Sequence, residues 1–411
     1  GTPLGVGSFH NHARNYLNAI VWNIEHKGEI KDENNTLQWG LKFQYEDIFD
    51  RLSEWSMVDS AGFAIPQQPY NMLLLQDTVN TRISLQSNRL SGYVQNSREF
   101  QRPEGRYILT GGIRTQYWSY NQQWIFSPRA TVLYKPEWAP RMVFRISGGL
   151  YQQPAFYREL RDFQGQLNEN IKAQESTQFV LGAEYNLILW DRPFKYTSEI
   201  YYKKFRNLIP YELDNVRIRY YANNTASGYG TGLDMKINGE FVPGIESWAS
   251  LSIMKTEEII DDAFFTNADG NIVPLGYIPR PTDQRFNFSL FFQDFLPKNP
   301  SYKVSLALIY GSGLPLSPPA EQKTRNITTM PPYRRVDIGF SKELIGTSSQ
   351  FGENSFFRNI KSMWITAEVF NLLEINNTIS YLWIKDISND MYAIPNYLTS
   401  RLINVKLITQ F

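Results

Sequence analysis

Polar and apolar residues alternate along most of the chain, most plainly in two neighbouring stretches. In DQRFNFSLFFQDF, Phe286, Phe288, Leu290 and Phe292 alternate with Arg285, Asn287 and Ser289. In SYKVSLALIY, Tyr302, Val304, Leu306, Leu308 and Tyr310 alternate with Lys303, Ser305 and Ala307. Successive side chains of a strand point to opposite faces, so each stretch predicts a strand with one apolar and one mixed face. The last residues, RLINVKLITQF, do the same: Ile403, Val405, Leu407, Thr409 and Phe411 share a nearly apolar side. Helical periodicity is nearly absent. Pro and Gly turns punctuate about fifteen such segments, near 13–27, 36–49, 79–101, 106–119, 125–135, 141–151, 174–188, 194–205, 226–238, 247–257, 283–293, 301–310, 333–342, 361–371 and 399–411.

The connections alternate in length. Those that share a side if the chain ends in the periplasm are KGEIKDENN, QRPEG, KPEWAP, LWDRP, GEFVPGIE and LPKNPS, all short; 343–360 is a long exception. The opposite set includes the long loops 152–173, 206–225, 258–281, 311–331 and 372–397. Short turns on one side and long loops on the other predict an all-β fold, an antiparallel transmembrane β-barrel with short periplasmic turns and long extracellular loops. A soluble sandwich or propeller shares the alternation. No repeat of about 40–50 residues is visible for propeller blades. Aromatics near strand ends, Tyr107, Trp118, Trp124, Trp138, Trp190, Tyr201, Tyr202 and Trp248, suit interfacial girdles better than a sandwich.

Composition narrows the function classes. The 411 residues are 42% hydrophobic, 20% charged and 15% aromatic, enough for a large folded body and far from a disordered composition. A formal net charge of +1 gives no global field for nucleic acid. With no cysteine there is no disulfide framework and no thiolate site. No apolar run of about 18 residues is present to cross a membrane as a helix. Gly1 starts without methionine or a signal-like segment, so the chain is expected to be the C-terminal part of something longer.

Candidate chemistry is sparse. His10 and His12 share a side of an extended segment, a spacing suited to a metal, but His26 is the only other histidine and three or four ligands are needed. Gly228, Gly230 and Gly232 imitate a dinucleotide fingerprint but are followed by a strand, so close backbone approach is the better reading. Glu257, Glu258, Asp261 and Asp262 are expected in a solvated loop, and NADGN at 267–271 as a tight turn. No Ser, His and acid set assembles, and no enzyme, metal or cofactor is expected. On the alternation, Arg114, Arg145, Glu199, Lys203, Arg285 and Glu368 fall on the lumen side, where charges pair, hold a plug or tune passage.

Several stretches together resemble the barrel of TonB-dependent outer-membrane receptors. They are YILTGGIRTQYWSYNQQWIFSPRATVLYKP, with Gly112 to Arg114 and Ser127 to Arg129, YYKKFRNLIPY at 201–211, GYGTGLDMKING at 228–239, YRRVDIGFSK at 333–342, AEVFNLL at 367–373 and the terminal Phe411. The resemblance covers essentially the whole chain. It implies a Gram-negative outer-membrane location in lipid and energised uptake of a scarce solute (an iron chelate, vitamin, glycan or peptide). It also implies a barrel of about 22 strands around a plug. Residues 1–411 would then be its C-terminal part, with about fifteen strands, and the N-terminal plug that contacts the TonB complex would lie outside this chain. Phe411 is expected to be read by the barrel-assembly machinery. Phe156, Tyr157, Arg158, Tyr211, Tyr381 and Trp383 in the long loops are expected ligand contacts. A passive porin-like channel and a surface adhesin remain as alternatives.

Overall fold

The computed structural model describes residues 9–59, 73–214, 217–242, 245–261, 263–266, 269–296, 299–317, 328–346, 349, 351–352, 355–385, 391–398 and 400–411. One antiparallel sheet holds seventeen segments. Two are short: Phe9–Ala13 and Ile278–Pro279. The other fifteen form the wall. They are β1 (Tyr16–Lys31), β2 (Asn35–Asp59), β3 (Leu73–Arg102), β4 (Gly105–Trp118) and β5 (Gln123–Pro136). Next come β6 (Met142–Gln153), β7 (Gln174–Leu189), β8 (Arg192–Leu208), β9 (Ala226–Val242) and β10 (Ile245–Ile260). The last are β11 (Phe286–Leu296), β12 (Asn299–Gly311), β13 (Tyr333–Ile345), β14 (Ser362–Phe370) and β15 (Leu402–Gln410).

Each wall strand pairs antiparallel with its sequence neighbours in an unbroken meander. They match the fifteen expected segments one for one. The largest boundary error is in β2, which continues past the expected end at 49 to Asp59 opposite Leu73. A tilted span of the hydrocarbon needs only about 9–11 residues. The 25 residues of β2 and 30 of β3 therefore project beyond it, where lipid no longer demands an apolar face and the alternation fades.

Register carries one face across the whole sheet. Ile48 lies opposite Leu85, Arg89 opposite Trp118, Arg145 opposite Gly182, Glu199 opposite Asp234, Ser250 opposite Ser289, Ala307 opposite Asp337 and Glu368 opposite Asn404. This inner face is largely polar, with cross-strand bonds such as Ser97 to Thr110 at 2.8 Å, Thr131 to Ser147 at 3.0 Å and Ser341 to Thr366 at 2.9 Å. The outward face presents Trp22, Leu41, Leu90, Ile113, Ile146, Leu181, Ile200, Ile253, Ile365 and Val405, all exposed. A bare apolar belt of this extent suits a bilayer and not water.

Two edges remain. Among the described residues β1 and β15 are not paired with each other, and most residues of both strands are exposed. At the short-turn end, Tyr107 and Tyr134 stack outward at 4.6 Å, and Trp138 and Trp190 are exposed in turns. Trp124 and Phe126 stand outward at the other end. Three expected girdle residues belong elsewhere. Trp118 is buried on the inner face under loops, and register puts Tyr201 and Trp248 on that face too. Alternation near a strand end does not reveal which face a loop will cover. The long exception on the short-turn side contains a 3-10 turn, Phe356–Asn359, with Phe356 and Phe357 exposed.

The glycine pattern at 228–232 lies inside β9, with no helix after it. A Cβ on Gly228 would collide with the Glu257 carbonyl, and one on Gly232 would sit 2.5 Å from the Tyr201 hydroxyl oxygen. Close approach accounts for both.

Candidate functional site

The hydrophobic core of the molecule sits at the loop end of the wall, not in its middle. Ile48, Leu85 and Trp118 on the inner face pack against Ala155, Leu160 and Ile171 from the β6–β7 loop and Ile209 and Ala222 from the β8–β9 loop. Polar bonds fix this lid. Arg89 lies 3.9 Å over the Trp118 ring, pairs with Glu46 at 3.1 Å and donates to the Ala155 carbonyl at 3.2 Å. Asp50 of β2 accepts from the Tyr157 hydroxyl at 2.8 Å and from Arg161 at 2.6 Å. Asn168 ties the two loops by donating to the Ala222 carbonyl at 2.8 Å.

The buried Glu159 organises the 3-10 turn Tyr157–Leu160. Its carboxylate accepts the Phe156 N–H at 3.1 Å and the Gln174 amide at 2.9 Å. Burial nevertheless pushes the Glu159 pKa above the ordinary carboxylate range. Burial and then the bond to Asp50 raise the Tyr157 hydroxyl, and burial with nearby Glu169 pushes Tyr120 up to about 12.

Beside this lid the loops and the ends of β2 and β3 enclose a cleft of about 1050 Å³. Arg158, Arg161, Arg217 and Arg219 line it, with Glu54 and Asp162 as its carboxylates and His12, Trp55, Phe163 and Tyr220 as its aromatic rings. Arg217 and Arg219 share one side of a short strand, Arg217–Tyr220, hairpinned with Tyr211–Asp214. Arg217 pairs with Glu54 at 3.3 Å, and the Arg219 guanidinium lies 4.7 Å over the Phe163 ring. Gly165 at φ +80° lets the loop press against Thr81, where a Cβ would meet Oγ1 at 2.8 Å.

Four of the expected ligand contacts gather at this end of the wall, and of them Arg158 alone is among the residues lining the cleft. Phe156 and Tyr211 flank Tyr220 with ring centres at 6.1 and 5.8 Å, Arg158 lines the cleft, and Tyr157 is turned onto Asp50 as a loop anchor. Tyr381 and Trp383 lie elsewhere, 6.3 Å apart on the hairpin Thr378–Lys385 with Met391–Tyr397, and neither lines the cleft. Sequence reasoning passed over Arg161, Arg217, Arg219 and Trp55. The run VRIRY carried a signal, since alternation in so short a strand puts both arginines side by side.

The charged wall residues are placed as follows. Arg145 and Glu199 form an ion pair on the inner face. Glu368 accepts from Lys406 at 2.6 Å and Asn404 at 3.1 Å, and Lys203 lies 4.8 Å over Tyr201. Arg114 sits opposite Tyr93 and Ser127 in the register of that face. Arg285 departs from the set. It precedes β11, pairs with buried Asp283 at 2.6 Å and reaches Glu257, an outward-register residue, at 3.7 Å. The expected solvated acidic loop is also corrected. Glu257 and Glu258 belong to β10, and Glu258 is buried against Arg280 at 3.2 Å, because the strand runs on beside Ile278–Pro279. Asp262 lies outside the described residues.

His12 stacks on Trp55 at 5.5 Å. Among the described residues no group of three or more His, Cys, Asp or Glu is arranged to hold a metal ion. Gly270 has φ +82° in the turn joining Phe264–Thr266 to Ile272–Pro274, as expected for the NADGN stretch, whose Asn267 and Ala268 lie outside the described residues. Phe411 follows β15 in the outward register and is 71% exposed, and its carbonyl accepts from Lys361 at 2.8 Å.

A meander with a bare apolar belt, a polar inner face and loops folded over one end is the wall of a transmembrane β-barrel. The chain matches the family model of the TonB dependent receptor-like beta-barrel over residues 4–372 and belongs to that family. The family comprises outer-membrane receptors and transporters, not enzymes. No curated protein sequence matches the chain. Solved structures share its fold at low identity. The ferric yersiniabactin uptake receptor FyuA from Yersinia pestis superposes with a TM-score of 0.63 at 12% identity, covering 98% of this chain and 56% of that one. For the siderophore receptor PiuA from Acinetobacter baumannii the values are 0.60, 12%, 97% and 56%. For the outer membrane transporter YddB from Escherichia coli they are 0.59, 12%, 95% and 54%. The chain thus spans little more than half the length of each.

Proposed function

We propose that this chain forms most of the wall and outer loops of an outer-membrane receptor that imports a scarce solute with energy delivered through TonB. The observation that carries the reading is the loop-built cleft, fixed by a packed core and side-chain hydrogen bonds at one end of a wall with an apolar outer belt. Solute docks in that cleft, and the long-loop end faces outward from the cell. The free edges of β1 and β15 would expose unpaired backbone groups to hydrocarbon. About seven preceding strands, bringing the total to about 22, close the ring, and a plug that contacts the TonB complex fills the polar lumen. Arg114, Arg145, Glu199 and Glu368 then face that plug. Arg285, at the loop end, belongs to the rim. Tyr381 and Trp383 would meet solute only at a different part of the rim from Phe156, Arg158 and Tyr211.

Cells of the source bacterium carrying the full gene, with and without a functional TonB complex, test this. Accumulation of solute that depends on both is expected. Uptake that persists without TonB would favour a passive channel, and retention at the surface without uptake an adhesin. Phe411, outward and exposed after the last strand, is the proposed contact for the barrel-assembly machinery. Phe411→Ser should lower the assembled amount in the outer membrane, measured by heat-modifiable gel mobility; a normal amount would remove that role.

A further inference from the structure

We propose that the connection between β13 and β14 is a membrane anchor. It lies on the periplasmic leaflet of the outer membrane and inserts Phe351, Phe356 and Phe357 among phospholipid headgroups and upper acyl chains. The inference rests on the receptor reading above only for the side, periplasmic, on which the short turns lie. The other connections at that end are a few residues long, whereas this one runs from Gly346 to Lys361. Closing the wall needs no such length, because Ile345 and Met363 are already partners in the ladder.

The sequence of the connection sets its chemistry. GTSSQFGENSFFRNIK combines three phenylalanines and two basic residues with one acid, a mixture suited to the boundary of an anionic bilayer rather than to its core. Hydrogen bonds hold the turn Phe356–Asn359: the Ser355 hydroxyl accepts the Phe357 N–H at 3.3 Å, and the Phe357 carbonyl accepts the Ile360 N–H at 3.1 Å. Phe357 gathers the rings, its centre 5.8 Å from those of Phe351 and Phe356. Phe356 is 84% exposed, and the other two rings are exposed as well. Three bare rings together are unfavourable in water and favourable in an interface. The cluster also adjoins the apolar belt. Ile345 and Met363 pair in the register that puts Thr409 and Phe411 outward. Leu344, Ile365 and Leu407 of that face are exposed, but Ile345 is buried. A side chain on the outward face is covered from outside the wall, and the connection is the chain that begins and ends there. It returns beside the C-terminus, where Lys361 donates through its N–H to the Gln410 carbonyl and through Nζ to the Phe411 carbonyl, both at 2.8 Å. Continuity with the belt favours lipid over a periplasmic protein as the occupant.

Full-length receptor carrying Asn359→Cys, with any other cysteine replaced by serine, can be labelled with an environment-sensitive fluorophore. Asn359 closes the same turn and is exposed, so all three phenylalanines stay in place. In vesicles of phosphatidylethanolamine and phosphatidylglycerol the emission should be blue-shifted. A nitroxide lipid labelled near the headgroup should quench about half of it, and one labelled at the chain end less, because interfacial segments sit about 5–10 Å deep. Iodide in the water should reach the probe poorly. Phe351→Ser/Phe356→Ser/Phe357→Ser should return the probe to water, with red-shifted emission and open access to iodide. If that variant fails to assemble, the two quenching series on the parent decide. Water-like emission with open iodide access in the parent would overturn the proposal. So would a probe shielded from iodide but untouched by either nitroxide lipid, which would put the cluster against protein. Shielding that appears only when the periplasmic domain of TonB is added would replace the lipid by a protein partner and overturn it too. None of these readings involves uptake. TonB-independent uptake would sink the receptor reading alone, and an unquenched probe in a receptor that imports normally would sink this one alone.

Discussion

Along the same three strands, apolar side chains do opposite things. At the loop end Ile48, Leu85 and Trp118 turn inward and are buried beneath two loops; nearer the short turns Leu41, Leu90 and Ile113 turn outward and are bare. Burial from water drives the first arrangement and contact with lipid the second. The change between them marks where the wall leaves the bilayer and begins to behave as a water-soluble protein with a core of its own. The cleft is positioned by a packed core and by buried ion pairs, whereas the belt needs only hydrogen-bonded strands and an apolar surface.

The largest break in this contrast should come from Trp118→Ala, which removes the centre of the loop core and the platform under Arg89. About 3–5 kcal/mol of stability should be lost from the lid. Limited proteolysis of receptor in outer membranes should then cut within 154–173 while the wall stays intact; an uncut loop would show that the core does not hold it. Asp50→Ala should cost less, roughly 1.5–3 kcal/mol, because it leaves Arg161 and Tyr157 without their shared acceptor. The same digestion should rank it below Trp118→Ala.

The smallest effect concerns Glu159. Its pKa is raised in the folded loop, chiefly by burial, so the fold binds this proton more tightly than the unfolded loop does. Its contribution is full below the ordinary carboxylate range and is lost as pH rises through the raised value. Lid protection, followed by hydrogen exchange of the Tyr157–Leu160 turn between about pH 4 and 7, should therefore fall with rising pH. Glu159→Gln should flatten that slope, and an unchanged slope would assign it to another group.

The wall was legible in the sequence because lipid on one side and a polar lumen on the other impose a strict period of two. All fifteen strands could be found in this way, and Arg145 and Glu199 could be put on one face before their ion pair was visible. The rim was far less legible. Loops fold back by long-range contacts such as Tyr157 to Asp50, which no local pattern encodes. Trp118 illustrates the loss. Its place near a strand end suggested an interfacial aromatic, but a loop more than thirty residues further along the chain covers it. Arg158 and Tyr211 could be placed in the loops that build the rim from their sequence position alone; Arg217 and Arg219, which line the cleft, were missed because a four-residue strand is too short to announce itself.

The division of faces can be measured directly, because the chain contains no cysteine and any cysteine elsewhere in the full-length receptor can be replaced by serine. Ile146 and Ser147 are adjacent on β6 and belong to the outward and inner registers. Ile146→Cys and Ser147→Cys, each carrying one fluorescent probe, can be reconstituted as full-length receptor in bilayers with brominated acyl chains. Strong quenching at 146 and little at 147 is the expected result. Equal quenching at the two positions, or the reverse order, would contradict a wall with one face in lipid.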